Sequence, residues 1–222
     1  MQVEVEDGEN EITAAPRLLE AFDLRGRVVT GDAMLAQRGL SVQIVEGGGE
    51  YVWTVKENQP QLREDIATLF EPEECIKGFS PAVHGFGRVE TTEKGHGRIE
   101  RRAITVSGEL KGYLDWPYAE QVFKLERHSV RTSTGEIRHE VVYGVTSLTA
   151  EEAGPRRLME LSRAHWQIEN ALHYRRDETL REDWCHLRTG SAPRVMAIVN
   201  NLVLGLLLRV SIAKIFTHPC AK

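Results

Sequence analysis

Two short apolar runs, "GRVVTGDAM" and "EYVWTVK", flank the helical stretch "LAQRGLSVQIVEGGG", and this arrangement restricts the possible folds more than any other feature of the chain. A short apolar run bounded by turn residues reads as a buried strand, and a periodic segment closed by glycines reads as a helix ending there. Strands separated by a helix pair in parallel, because an antiparallel neighbour needs only a tight turn. Upstream, "AAPRLLEAFDL" places Leu18, Leu19 and Phe22 at helical spacing, and "QVEVE" alternates with period two. The first third therefore has β-α-β-α-β order, and the fold class is α/β with a partly parallel sheet.

From about Cys75 to Leu148 the pattern changes. "FGRVETTE", "GRIERRAITV", "EQVFKLERHSV" and "IRHEVVYGVTSL" are strand-like, and "EKGHG", "DWPY" and "TSTGE" between them are turn chemistry. This is a β-rich insertion into the α/β pattern. Helical periodicity returns in "TAEEAGPRRLMELSRAHW", where Thr149 and Glu152 have the spacing of a capping box. The run "VMAIVNNLVLGLLL", Val195 to Leu208, is shorter than the roughly 20 residues of a membrane span and holds two central asparagines, so it reads as a buried C-terminal helix.

The chain has 222 residues, 41% of them hydrophobic, enough to bury a core. Its three cysteines, Cys75, Cys185 and Cys220, form neither a disulfide framework nor a zinc knuckle, and the acidic start lacks a signal peptide's apolar region. A cytoplasmic protein without membrane attachment is expected. Charge is lopsided within a net of −5: residues 1–74 carry 16 acidic and 6 basic side chains, against 17 and 22 in residues 75–222. An acidic part able to hold cations beside a basic part able to hold phosphates suits chemistry on DNA, and a solvated surface produces the same asymmetry. No G-x-G-x-x-G after a strand, P-loop or G-x-S-x-G is present, which removes dinucleotide-binding, P-loop NTPase and hydrolase-elbow readings.

Several residues remain as carriers of chemistry. Asp32 ends the first buried run, where α/β sheets bind ligands, and an aspartate there equally caps a following helix. In "LSRAHWQIENALHYRRDETLRED", His165, Glu169, His173 and Asp177 recur every four residues and share one helix face. Glu169 packed near Asp32 would give the convergent carboxylates that Mg²⁺ requires; a merely polar helix face uses the same letters. A zinc or iron site on His165, Glu169 and His173 is a third possibility, although the spacing matches neither H-E-x-x-H nor E-x-x-H. Lys56, followed by Asn58 and Gln59, ends the second buried run where a phosphate or a plain turn would fit. In "GHGRIERRAITV", alternation puts His96, Arg98, Glu100 and Arg102 on one strand face and Ile99, Arg101 and Ala103 on the other, for phosphate contact or for solvent.

"NEITAAPRLLEAFDLRGRVVTGDAMLAQ", "GGGEYVWTVKENQPQL", "HGRIERR" and "LSRAHWQIENALHYRRDETLRED", in this order and spacing, resemble bacterial insertion-sequence transposases of the DDE class, most closely the H-repeat-associated subgroup. The resemblance runs from about Asn10 to Leu208. It implies a ribonuclease H-like fold, divided into a first part of the catalytic core at 1–72, a β-rich insertion at 73–148 and C-terminal helices at 149–222.

By the same resemblance Asp32 and Glu169 are catalytic and hold Mg²⁺ or Mn²⁺, two ions in a complete enzyme. Lys56, Asn58, Arg98, Arg101, His165 and Arg176 would contact DNA, the transposon ends and target, with the protein a homodimer on it. His165 and Arg176 stand where related transposases have the arginine and lysine of a Tyr, Arg, Glu, Lys signature, and Ser162 replaces the tyrosine. The family's first aspartate lies well upstream of the segment matching "NEIT", so the first strands and first metal ligand are expected to be missing. The implied activity is metal-dependent DNA cleavage and strand transfer. The alternative is a non-catalytic DNA-binding or assembly remnant.

Overall fold

A computed structural model describes residues 9–70, 85–95, 97–168, 180, 184, 189–192 and 195–205. The chain divides into two compact units, Met1–Arg163 and Ala164–Lys222.

The first unit is built on a six-stranded sheet of order β1-β2-β6-β5-β4-β3. Strands β1 (Val28–Gly31) and β2 (Glu50–Val55) are parallel, as the flanking apolar runs require, and α2 (Arg38–Glu46) connects them. Before them comes α1 (Glu11–Glu20), opened by Asn10, whose side chain accepts from the Thr13 amide while the Thr13 hydroxyl receives the Asn10 amide. After β2 comes α3 (Pro60–Phe70). The "QVEVE" segment lies outside the described residues.

Strands β3 (Phe86–Gly95), β4 (Arg98–Ser107), β5 (Gln121–Arg131) and β6 (Ile137–Thr146) form an antiparallel meander. It continues the parallel pair instead of forming a sheet of its own, because β6 pairs antiparallel with β2 through Val52↔Thr146 to Val55↔Tyr143. The segment read as an insertion thus shares the α/β core's backbone ladder. Strand β1 has a neighbour on one side only among the described residues.

Period-two alternation divides the buried residues between the sheet's faces. Tyr51, Trp53, Val55, Val122 and Val145 pack with Leu40 and Ile44 of α2, Leu62 and Ile66 of α3, and Leu114 and Trp116 from the β4–β5 loop. Val52, Ile104, Val106, Phe123 and Leu125 pack with Leu158 and Met159 of α4 (Pro155–Ile168). Gly144 is required on this second face: a Cβ there would lie 2.0 Å from the Phe123 ring.

Two expectations change. Thr149 and Glu152 do exchange capping-box hydrogen bonds, at 2.9 and 3.4 Å, but these close a turn. The helix starts at Pro155, since Pro fits the first helical position and lacks only an amide that would have no helical partner. The C-terminal apolar run is helical over 195–205, yet Val195, Ile198 and Leu202 are exposed while Asn200 and Leu204 are buried. A helix that is apolar all round is buried only where neighbours cover every side, and here residues four apart turn inward. Among the described residues no helix is long and apolar enough to cross a membrane.

Candidate active site

Asp32 follows directly on β1 and starts a short 3-10 turn, Ala33–Leu35. The preceding Gly31 sets its position: a Cβ at residue 31 would come within 2.7 Å of the Trp53 ring. Trp53 is fully buried on β2, and its indole N–H donates to Ser41 Oγ at 3.0 Å, while that hydroxyl donates to the Gln37 carbonyl at 3.0 Å. A satisfied indole wedged under a glycine gives the end of β1 a rigid floor.

The Asp32 carboxylate performs the capping role: Oδ1 accepts the Ala33 amide at 2.7 Å. The same oxygen lies 3.7 Å from Lys56 Nζ, just past the end of β2, and both side chains are about half exposed, at 53% and 56%. Asp32 Oδ2 accepts no hydrogen bond from the described residues. Parallel pairing produces the meeting, because the carboxyl ends of β1 and β2 emerge side by side.

Two further residues tie this corner together. Asn58 Nδ2 donates to the Ala33 carbonyl at 2.6 Å, and Gln59 Nε2 donates to the Ala36 carbonyl at 3.0 Å. These amides brace the 3-10 turn from below, so Asn58 has a structural task whatever else it contacts.

Glu169, His173, Arg176 and Asp177 lie outside the described residues. His165, near the end of α4, is half-buried, and its Nδ1 has no hydrogen-bond partner among the described residues. Upstream on the same helix, Arg163 makes a bidentate pair with Glu93 of β3 at 2.6 and 3.0 Å, which fastens that turn of α4 to the sheet. These guanidinium bonds hold the Glu93 carboxyl below the usual carboxylate range. Glu93 also meets Arg102 at 3.3 Å, Arg102 meets Glu100 at 2.7 Å, and Arg127 links Glu100 to Glu140 at 3.3 and 3.1 Å. Arg102, Arg127 and Arg163 are thus laced to carboxylates. Arg98 is exposed at the start of β4, whereas Arg101, on the opposite face, is held by both oxygens of Glu90.

Sequence reasoning singled out Asp32 and Lys56, which the structure brings together, but missed the Gly31, Trp53 and Ser41 support and the Glu93 to Arg163 fastening. A lone glycine before the aspartate was the only local sign of the first; the second joins residues 70 apart and leaves no local sign. Among the described residues no three His, Cys, Asp or Glu side chains gather as a metal-binding group.

The chain's sequence matches the family model "Transposase DDE domain" over residues 1–206. It is 31% identical to YbfL of Escherichia coli (strain K12) over 93% of this chain and 54% of YbfL. It is 30% identical, with the same two coverages, to YhhI of that strain, whose name describes an H repeat-associated transposase. A protein from the dhlA 3′ region of Xanthobacter autotrophicus is 37% identical over 68% of this chain and 49% of that protein. The chain spans about half the length of these curated relatives. With an aspartate at the carboxyl end of a parallel strand and a match running through nearly all of its length, the chain belongs to the DDE transposase domain family.

Proposed function

We propose that this chain supplies part of the catalytic machinery of an insertion-sequence transposase, in which Asp32 and Glu169 hold divalent metal for DNA cleavage and strand transfer. The observation that carries the reading is the placement of Asp32 beside Lys56 at the carboxyl ends of paired parallel strands. Ligands of open α/β sheets bind at such ends.

The residues fit a hard cation. Asp32 offers an oxygen free of described partners, and hard divalent cations take carboxylate oxygens. Glu169 would add the second carboxylate. Bound Mg²⁺ or Mn²⁺ supplies activation of the attacking hydroxyl and stabilisation of the leaving oxygen of a phosphodiester. Lys56 acts as a point charge for a DNA phosphate and keeps the Asp32 carboxylate oriented. The brace from Asn58 and Gln59 keeps the turn after Asp32 from shifting, which matters because small misplacements of reacting groups are costly. Arg98, His165 and Arg176 add contacts to the DNA backbone, independent of sequence and weakened by salt. Arg101 joins them only by leaving Glu90.

The sheet order supports a ribonuclease H-like core, with the parallel pair at one end and β1 flanked on one side only among the described residues. DNA is the partner, with two copies of the protein acting on it. Nicking of supercoiled plasmid in Mn²⁺ by a form of the protein that carries the family's upstream strand and its aspartate, abolished by EDTA and by Glu169→Gln, is the expected result. Absence of metal-dependent nicking by that form overturns the catalytic reading in favour of a DNA-binding remnant.

A further inference from the structure

A pair of imidazoles on the β5–β6 hairpin, apart from the proposed catalytic corner, has the arrangement of a metal chelate. His128 and His139 are register partners. The Arg131 amide donates to the Glu136 carbonyl, which makes that a hydrogen-bonded pair of the ladder. Hydrogen-bonded and non-hydrogen-bonded pairs alternate along antiparallel strands, so three steps back His128 and His139 form a non-hydrogen-bonded pair. Side chains at such pairs approach most closely, with Cα atoms about 4.5 Å apart. The rings are stacked, with centroids 4.0 Å apart and planes inclined by 21°, and both residues are exposed.

We propose that His128 and His139 bind one transition-metal ion of the imidazole-seeking kind, Zn²⁺, Ni²⁺ or Cu²⁺. A modest rotation of each ring from the stack aims one nitrogen of each at a common point about 2.0 to 2.1 Å away, the Zn–N distance. Imidazole selects these metals over Mg²⁺, which separates the site chemically from Asp32 and Glu169. The sheet fixes both backbones in advance, so binding orders only two short side chains.

The surroundings leave the imidazoles free for metal. Arg101 is the β4 partner of His128, but Glu90 holds and neutralises its guanidinium. Glu126, two residues along β5 on the same face, is occupied by Lys124 and Arg88 at 3.3 Å each. With no third ligand gathered among the described residues, water or an incoming donor completes the coordination. Val130, Ile137, Val141 and Ile99 on this face carry no charge, and Lys94 stands on β3, two strands from His128.

Hydrogen exchange of the full chain tests the site locally, which keeps other histidines from confusing the result. Zn²⁺ or Ni²⁺ is expected to slow amide exchange at residues 129–138 about tenfold at roughly ten times the dissociation constant, through preferential binding to the closed hairpin. Mg²⁺ is expected to leave it unchanged, and His128→Gln and His139→Gln each to abolish the slowing while preserving metal-free exchange. No metal-dependent slowing in the hairpin, or slowing that persists in either variant, overturns the proposal.

Discussion

Lys56 Nζ lies 3.7 Å from Asp32 Oδ1, an approach set by parallel pairing of β1 and β2. Both side chains are half exposed, so the pair contributes no more than about 1 kcal/mol to stability. Lys56→Ala should therefore leave the unfolding midpoint nearly unchanged. If the ammonium serves a phosphate, the same variant should weaken DNA binding uniformly across sequences and reduce the salt slope of log affinity by about 1. Fluorescence anisotropy over a salt series checks this; an unchanged slope assigns Lys56 to Asp32 alone.

Ser41 is fully buried and receives the Trp53 indole proton. Ser41→Ala strands that N–H and should cost about 1 to 3 kcal/mol. Because Ser41 acts through Trp53, the double variant Ser41→Ala, Trp53→Phe should cost less than the sum of the single changes. Denaturant melts of the four proteins in the cycle measure the coupling, and strict additivity would show that the bond contributes little.

Gly31 should tolerate no larger residue. A Cβ 2.7 Å from the Trp53 ring forces the indole or the end of β1 to move. Gly31→Ala is expected to destabilise by about 1 to 3 kcal/mol, the usual cost of overpacking a filled core. Trp53→Leu in the same chain should recover part of the loss in a thermal melt by opening space.

The Arg163 guanidinium lowers the Glu93 carboxyl below its ordinary value of 4.5. A carboxylate depressed in the folded state adds stability above its unfolded pKa and loses it as pH falls through the folded value. Between pH 5 and 3 the wild type should therefore lose stability more steeply than Glu93→Gln, which cannot titrate. Added salt should narrow the difference, because the pair is exposed to solvent. Parallel acid titrations of unfolding give the comparison.

The local alphabet was sufficient for the parallel pair, for the four later strands and for α1 and α2, because period, glycine stops and turn chemistry all act over a few residues; α3, which opens on Pro60 directly after polar turn residues, was not read. It could not show that β6 lies against β2, since Thr146 and Val52 meet only when the meander folds back. It placed the start of α4 at Thr149 because a capping box is chemically the same whether a helix or a turn follows. At the site, Asp32 and Lys56 could be picked out as strand-end residues, but which of capping and ligation Asp32 performs could not. The structure shows the cap, made by one carboxylate oxygen.

Those two roles separate in a single substitution, Asp32→Asn. Asparagine caps a helix start as well as aspartate, so stability should change by less than about 0.5 kcal/mol. It lacks the negative charge that a divalent ion requires, and the loss of several kcal/mol of transition-state stabilisation should reduce metal-dependent DNA cleavage at least about a hundredfold. A folded Asp32→Asn protein that cleaves DNA at the wild-type rate would contradict the assignment of Asp32 as a catalytic metal ligand.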